Sequence, residues 1–482
     1  MGDVVQVCAI PAGWTSGPRP LGILKLQPAA PAIKIPPPAV GRTTGRKHLS
    51  VGMETSRMLG VIQRSAFSYF LHETNPGNGL VLDKTCADWP ASIAAVGLGL
   101  TTYPVGVERG FVPRAEAAER TLTTLRFFWR SRQGPEPDAT GHHGFYYHFL
   151  DLQSGARAWQ CELSTVDSAL LLGGMLTAAA YFNGAAPAER EIRDLTDRLY
   201  ARVDWRWAQN GAATVSHGWR PESGFLPFRW EGYDEALLLY VLGLGSPTHP
   251  LPAESYRAWA STYQWKTVYE TQFLYAGPLF THQLSHVWID FRGIRDAFMH
   301  ERGIDYFENT RRATLVQQQY AIRNPEGFAR YGEFCWGITA SDGPGELSRV
   351  VDGVQRRFFD YRARGVPDGP DDGTIAPWAV VASLPFAPEI VLPTIAHFHR
   401  LHLHDVHPYG YRATFNSTFP DGSGSAMGWV SPWHFGINEG PIVAMIENYQ
   451  SGLVWQLMRG CPYIVAGLRA AGFAGGWLSS DQ

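Results

Sequence analysis

The feature that most constrains the fold is a succession of helical segments that starts at Glu54 and continues almost to the last residue. Apolar residues recur at helical spacing in about a dozen stretches, whereas strand-like alternation is clearest in FYYHFLDL at 145–152. No short-period repeat is present, which argues against a solenoid. Paired helices joined by longer loops predict an all-α fold, an (α/α)6 toroid with long loops and minor β-hairpins at the cleft. An irregular all-α bundle is the alternative.

The chain is expected to divide near residue 53. Residues 1–52 carry many prolines, as in PAAPAIKIPPPAV, and predict a disordered tail. Residues 53–482 contain no internal linker and predict a single (α/α)6 catalytic domain. The predicted helices are 54–72, 91–102, 113–132, 164–183, 187–207, 252–265, 281–289, 293–323, 348–363, a proline-broken 374–401, 440–459 and 462–471.

Composition excludes several classes of partner. The formal net charge is −3 and no Lys/Arg-rich run is present, so neither a nucleic acid nor a membrane surface is expected. The most apolar stretch, 374–396, is interrupted by prolines, so membrane insertion is not expected either. Aromatic residues reach 13%, with 17 Trp. That excess suits surfaces that stack on sugar rings, although a large helical core would use the same residues.

The stretch 219–250 sets acids beside aromatics. A helix capped by Gly232 would place Asp234 and Glu235 in its first turn, where acids complement the positive helix end. Carboxylates framed by Trp230 and Tyr233 equally suit a sugar-cleaving site. An acid there must be buried, because the helix end lowers a carboxyl pKa while burial raises it.

Within that stretch Glu235 is the candidate general acid and Glu231 is the reserve, while Asp234 is interpreted as a helix-start residue. Other blocks combine acids with a helix start or with aromatic residues. In ELSTVDSALLL the Ser164–Asp167 pair matches a capping box, but Asp167 could also face the same cavity as Glu235. The remaining candidates are Glu333, Trp336 and Asp342 in 331–345, and Trp433, Glu439 and Glu447 in 428–447.

Metal and cofactor chemistry is not predicted. His282, His286 and Asp290 repeat at a spacing that could line one helix face, but they form no standard metal motif. Polar packing or a hydrogen bond from His286 to a sugar hydroxyl is preferred. The sequence shows no GxSxG, P-loop, HExxH or dinucleotide-binding motif, which removes serine hydrolases, NTPases and dinucleotide enzymes.

Several ordered blocks resemble a known family: RWEGYDEALLLYVLGLGSPTHP, FTHQLSHVWIDFRG, YGEFCWGITASDGPG and WHFGINEGPIVAMIENYQSGLVW. They are similar to the bacterial glucoamylase-like domain, which includes the endo-β-1,2-glucanases of glycoside hydrolase family 144 and a domain of cyclic β-1,2-glucan synthases. The resemblance spans about 54–475. It implies an (α/α)6 toroid and hydrolysis of β-glucan, with β-1,2-glucan favoured, by anomer-inverting acid/base chemistry.

The resemblance also implies roles for individual residues. Glu235 stands where the family's WxGYxE block carries the glutamate taken as the general acid, and Asp167 stands in the matching ST-x-D block with its role open. The base is left open among Asp342, Glu439 and Glu447. The residues expected to bind substrate are Trp230, Tyr233, His286, Glu333, Trp336, Trp433 and Glu447.

The expected partner is an oligo- or polysaccharide, and the oligomeric state is open. An exo-acting β-glucosidase or sophorohydrolase, or a transglycosylase, is the nearest alternative on the same fold. A non-catalytic glucan-binding protein is the alternative from another class. The resemblance implies a periplasmic or secreted location, although the N-terminal residues show no signal-peptide pattern.

Overall fold

The computed structural model describes residues 46–403, 408–422 and 425–479, with only the backbone described for 46–53. The chain divides into two compact units, Met1–Met58 and Leu59–Gln482. The predicted tail over 1–52 lies outside the described residues except for 46–52, whose backbone is helical. None of the described helices has the length and apolarity needed to cross a membrane.

Most of the regular structure is helical, as predicted. The α-helices are α1 Arg46–His72, α2 Ile93–Glu108, α3 Arg114–Arg130, α4 Thr165–Tyr181, α5 Pro187–Ala201, α6 Trp205–Gln209, α7 Leu237–Leu244, α8 Ala253–Ala260, α9 Ala297–Arg302, α10 Tyr306–Arg323, α11 Pro377–Ala382, α12 Pro388–Arg400, α13 Gly436–Gln450, α14 Leu453–Arg459 and α15 Pro462–Ala470. Short 3-10 helices cover Leu279–His282, Leu284–Val287 and Gly476–Ser479.

The strands are short and lie between the helices. They are β1 Ala91–Ser92, β2 Gly141–His142, β3 Phe145–Tyr147, β4 Phe149–Leu150, β5 Leu163–Ser164, β6 Gly218–Arg220, β7 Gly224–Phe225, β8 Trp265–Val268, β9 Thr271–Leu274, β10 Ala340–Ser341, β11 Leu347–Val351, β12 Val354–Phe358, β13 Arg362–Ala363, β14 Phe415–Asn416 and β15 Trp429–Val430. One antiparallel sheet has the order β2-β3-β5-β6-β7, and the other strands form two-stranded pairs.

The core of Leu59–Gln482 is a closed inner ring of buried helices. Helix α2 packs on α4, α4 on α7, α11 on α13, and α13 returns to α2. The 3-10 helices at 279–287 fill the gap between α7 and α11. Ser285 Oγ accepts from the Leu238 amide (3.1 Å), and the Gln283 side-chain amide donates to the Ala379 carbonyl (2.7 Å).

A second layer of helices covers the inner ring, which completes the predicted (α/α)6 toroid. Helix α3 packs on α2, α5 on α4, α8 on α7, α10 on the first 3-10 helix and α12 on α11. Helix α1 packs on α13, where Gln63 Nε2 donates to the Val443 carbonyl (3.1 Å). Inner helices α2 and α4 approach so closely that a Cβ on Gly97 would strike the Leu170 carbonyl, and one on Gly174 would strike the backbone of Gly97. The small-residue texture of 91–102 therefore does indicate an inner helix.

The predicted helix at 348–363 is wrong, because this segment forms strands β11, β12 and β13. Asp352 and Gly353 both have positive φ, 50° and 79°, as a two-residue hairpin turn requires. The Asp-Gly pair between two β-branched stretches was the signal for a hairpin. Three other predicted helices are interrupted: 187–207 divides into α5 and α6, 293–323 divides into α9 and α10 at Gly303, and 440–459 divides into α13 and α14 before Leu453. The predicted helix at 281–289 forms two short 3-10 helices instead.

Candidate active site

Four carboxylates lie close enough to the hydroxyl of Tyr361 for their charges to raise its pKa, near the start of the inner helices. Burial raises the pKa of Tyr361, and the charges of Asp83, Glu235, Asp342 and Asp167 raise it further. These acids come from separate places in the chain: the loop before α2, the first turn of α4, the turn before α7 and the segment that follows β10. We call Asp83, Asp167, Glu235 and Asp342 the carboxylate cluster.

Glu235 has the environment of a general acid. Burial raises its pKa to about 8, the charges of Asp167 and Asp234 act in the same direction, and the charge of His148 opposes them. Helix α7 begins at Leu237 rather than after Gly232, whose φ is 87°, so Glu235 precedes the helix instead of lying in its first turn. At neutral pH this half-buried carboxyl carries a proton that it can donate.

Asp234 has a structural role, as the sequence suggested, although it lies before the helix. Its Oδ1 accepts from the Ala236 amide (2.9 Å) and from the Trp259 indole N–H (3.0 Å). Burial raises its pKa to about 7, while those two hydrogen bonds oppose the rise. The side chain ties the turn that carries Glu235 to α8.

A histidine stands between two acids beside Glu235. His148 Nδ1 lies 3.0 Å from Glu162 Oε1, and its Nε2 lies 3.6 Å from Asp167 Oδ2. Asp167 also takes part in the predicted capping pair, since its amide donates to Ser164 Oγ and the Ser164 hydroxyl donates to Asp167 Oδ2. The cap and the cluster are therefore compatible uses of the same aspartate.

Asp83 and Lys84 belong to the site and were not identified from the sequence. Burial raises the pKa of Asp83, and the Trp89 indole N–H (3.0 Å from Asp83 Oδ2), His148 and Lys84 oppose that rise. The buried Lys84 ammonium lies 3.9 Å from the centroid of the Trp89 ring and 5.4 Å from that of Phe435. The many turn-forming residues in ETNPGNGLVLDKTCADWP indicate a simple loop, so the role of Asp83 and Lys84 was missed. The adjacent Asp-Lys pair was the one local signal for it.

Asp342 and Glu439 are both buried, but they have different neighbours. The Ser431 hydroxyl donates to Asp342 Oδ2 (2.8 Å), and Lys84 opposes the rise in the Asp342 pKa that burial causes. Glu439 Oε1 lies 3.1 Å from His434 Nδ1, and burial raises the pKa of Glu439 well above its ordinary value. Asp342 has a cation nearby that favours its ionised form, whereas burial favours the protonated form of Glu439.

Three predicted acids lie away from the cluster. Glu231 is exposed and accepts from the Thr214 hydroxyl (2.8 Å). Glu333 is exposed in a tight turn between Gly332 and Cys335. Glu447 forms a two-point ion pair with Arg109, at 2.6 and 3.0 Å, near the C-terminal end of α13. Its oxygens are engaged in the fold.

The aromatic residues and the histidine predicted to bind substrate also lie in different parts of the structure. Trp433 is half-buried, with its ring centroid 5.9 Å from the Lys84 ammonium, and so lies beside the cluster. Trp230 is buried, and its indole donates to the Thr165 hydroxyl (2.9 Å) in the first turn of α4, the turn that carries Asp167. Tyr233 instead packs near Tyr263, Tyr306 and His282.

Trp336 and His286 are core residues. The Trp336 indole donates to the Thr394 hydroxyl (3.0 Å), and His286 Nε2 lies 3.0 Å from the Thr310 hydroxyl. Burial lowers the pKa of His286 to about 3. Asp290 pairs with Arg292 (2.7 Å). Among the described residues, no group of three or more His, Cys, Asp or Glu side chains is placed to hold a metal ion.

Comparisons with known proteins identify related chains. Residues 227–462 match the family described as "Putative glucoamylase". A crystal structure of a "putative glucoamylase" from Bacteroides uniformis is 30% identical, covers 88% of this chain and 99% of its own, and has a TM-score of 0.77. An endo-β-1,2-glucanase from Chitinophaga pinensis, solved with sophorotriose and glucose, is 26% identical, covers 88% of this chain and 99% of its own, and has a TM-score of 0.76.

A curated relative extends the comparison. An exo-β-1,2-glucooligosaccharide sophorohydrolase (non-reducing end) from Parabacteroides distasonis is 27% identical over 453 residues, which cover 86% of this chain. The matched region spans 58% of that relative's length.

Proposed function

We propose that this chain, which belongs to the glucoamylase-like family, is a glycoside hydrolase that cleaves β-1,2-linked glucan. The observation that carries the proposal is Glu235, a half-buried carboxyl whose pKa is raised to about 8 beside other carboxylates. Hydrolysis of a glycosidic bond needs one carboxyl that is protonated at neutral pH and another that is ionised. The β-1,2 linkage follows from what the relatives in Chitinophaga pinensis and Parabacteroides distasonis act on.

Glu235 acts as the general acid. Its proton passes to the glycosidic oxygen as the bond to the leaving sugar breaks. Burial and the negative charge of Asp167 keep that proton in place until the transition state, because both disfavour the carboxylate. The turn before α7 is tied to α8 through Asp234 and Trp259, so the donor is positioned by the scaffold.

Asp342 is the general base. Of the three acids left open by the sequence, Glu447 is engaged with Arg109, and burial raises the pKa of Glu439 well above its ordinary value. Asp342 has the charge of Lys84 and the Ser431 hydroxyl to support its carboxylate. It would remove a proton from the water that attacks the anomeric carbon, which gives a product of inverted configuration.

Chemical rescue tests this assignment. Asp342→Gly should abolish hydrolysis, and azide added with a substrate bearing a good leaving group should restore bond cleavage as a glycosyl azide of inverted configuration. Asp167→Gly serves as the matched control, because Asp167 belongs to the same cluster and is bonded to Ser164, and removing an acid that is not the base should give no azide product. Rescue of the Asp167 variant and not of the Asp342 variant would transfer the base to Asp167.

The function is tested by incubation with linear β-1,2-glucan, with the products followed by chromatography and their anomers by NMR. Short oligosaccharides that appear early, with the α-anomer formed first, are the expected result. Absence of products from any β-glucan would refute the proposal, and glucan binding without products would favour a non-catalytic role.

A second candidate, exo-acting release of sophorose, is favoured by the similarity to the Parabacteroides distasonis sophorohydrolase. Early products distinguish the two modes. A disaccharide released alone, with slow shortening of the polymer, indicates exo action, whereas a rapid fall in polymer length indicates endo action.

A further inference from the structure

Trp159 is an exposed aromatic residue that joins the candidate active site through two contacts. It lies between β4 and β5 and is 42% exposed. Its ring lies 4.6 Å from that of Trp89 and 5.2 Å from that of Phe149, measured between centroids. The Trp89 indole donates to Asp83, and the Phe149 ring stacks on His148 at 4.0 Å. Both routes from Trp159 lead to the carboxylate cluster.

The backbone that presents Trp159 is strained. Trp159 and Gln160 have φ values of 54° and 52°, so two consecutive residues with side chains occupy the left-handed region. Such residues cost free energy and persist where the surrounding structure fixes them. Strained residues of this kind cluster at ligand-binding and active sites.

A buried arginine holds the strained loop in place. Arg157 Nη2 donates to the Gln160 carbonyl and Nε donates to the Cys161 carbonyl, both at 2.6 Å. Nη1 pairs with Glu222 at 2.6 Å, and the Arg157 side chain is 1% exposed. Through these contacts Arg157 joins the loop to the β6–β7 hairpin, which carries Glu222. The exposed indole is therefore fixed in position, which lowers the entropic cost of binding a ligand against it.

We propose that Trp159 is the stacking platform of an outer subsite, which takes a glucosyl unit of the β-1,2-glucan chain away from the bond that is cleaved. The inference rests on the proposed function and adds a specificity-determining residue to that same site. An indole offers a broad apolar face to the C–H groups of a sugar ring, while neighbouring polar groups can bond its hydroxyls. Its exposure, one aromatic ring away from Asp83 and from His148, suits a unit bound beyond the reacting one.

The test compares kcat/KM for β-1,2-linked oligosaccharides of increasing length. Trp159→Ala should lower kcat/KM about tenfold for long substrates and leave the shortest cleaved substrate almost unchanged, because one stacking contact is lost. Trp159→Phe should retain most of the activity. Trp129→Ala, which removes another exposed indole (38%) on α3, is the matched control and should match the unaltered protein at every length.

A second variant separates loss of the ring from distortion of the loop. Glycine adopts a φ of 54° without strain, so Trp159→Gly should keep the loop conformation and be at least as stable as Trp159→Ala. It should show the same length-dependent loss. Equal losses at all lengths, or no loss at any length, would overturn the platform.

Binding of long glucan to the Glu235→Gln protein gives a readout that does not need turnover. Adding Trp159→Ala to that variant should weaken binding about tenfold, and unchanged affinity would overturn the platform. If the unaltered protein cleaves no glucan but Trp159→Ala still weakens glucan binding tenfold, the proposed hydrolase activity would be refuted and the stacking role of Trp159 supported. A parent protein that neither binds nor cleaves glucan would refute both.

Discussion

Glu235 lies in the turn before inner helix α7 and Glu447 lies in inner helix α13, and the two glutamates have different neighbours. Burial and the like charges of Asp167 and Asp234 raise the pKa of Glu235 to about 8. Glu447 meets Arg109, Gln63 and Ser451, whose hydrogen bonds satisfy its oxygens. An acid for which burial and like charges outweigh a nearby histidine retains a proton for chemistry, whereas an acid with a bidentate arginine contributes to folding. The residue type alone does not separate these roles.

The largest expected effect is on catalysis at Glu235. Glu235→Gln keeps the shape and hydrogen-bonding capacity but removes the transferable proton, so kcat for β-1,2-glucan should fall about 100- to 10,000-fold. Glu231→Gln is the matched control, because Glu231 is exposed four residues earlier and should be dispensable. Initial rates measure both. Activity above one tenth in the Glu235 variant would contradict the comparison.

Glu235→Gln should also change the dependence of stability on pH. A carboxyl with a raised folded-state pKa binds more protons when folded than when unfolded, so stability falls as pH rises from the unfolded value near 4.5 to about 8. The glutamine variant lacks this contribution. Urea unfolding across that range should therefore show a smaller loss of stability in the variant, and parallel curves would count against a raised pKa.

The next effect is on stability at Glu447. Glu447→Gln should lower the free energy of unfolding by about 1–3 kcal/mol, because it breaks a partly exposed ion pair and leaves Arg109 unpaired. Activity per folded molecule should remain close to that of the unaltered protein. Urea unfolding and initial rates at equal folded concentration check both parts. A loss of kcat with unchanged stability would reverse the distinction between the two glutamates.

A smaller effect, on the pH dependence of kcat/KM, is expected from replacing His148, whose charge lowers the pKa of Glu235 and of Asp83. His148 also faces Glu162 and Asp167, and it lies near the thiol of Cys161. His148→Asn removes that charge, so the alkaline limb of kcat/KM should move to higher pH.

His217→Asn is the control for the change at His148. Burial lowers the pKa of His217 to about 4, so its replacement removes a neutral ring at neutral pH and should leave the limb in place. A limb that moves equally in both variants would show that the shift does not come from the charge of His148.

The sequence predicted the helical ring and part of the site because both leave local patterns. Helical periodicity located the inner helices, and the Ser164–Asp167 pair marked the start of α4, as the structure confirms. Glu235 was identified beside aromatic residues, and the structure places it in the cluster, although the helix starts later than Gly232 suggested.

The rest of the site depends on contacts between distant parts of the chain. Asp83 and Lys84 lie in a loop whose sequence indicates only turns, and no local pattern predicts that Lys84 acts on Asp342, which is more than 250 residues away in the chain. Whether an aromatic residue packs in the core or faces a ligand also depends on burial, which distant parts of the chain create. Trp336 and Trp433 both lie in glycine-rich aromatic blocks, yet one is in the core and the other is half-exposed beside Lys84. Periodicity does not distinguish these environments in irregular segments.

The most direct test of the central claim is the pH dependence of kcat/KM for β-1,2-glucan, which reports the pKa of the essential acid in the free enzyme. If Glu235 is the protonated donor, activity should hold through neutral pH and fall as pH rises through about 8. A limb near the ordinary glutamate value, with activity falling between pH 4 and 5, would contradict the assignment of Glu235 as an acid kept protonated by burial.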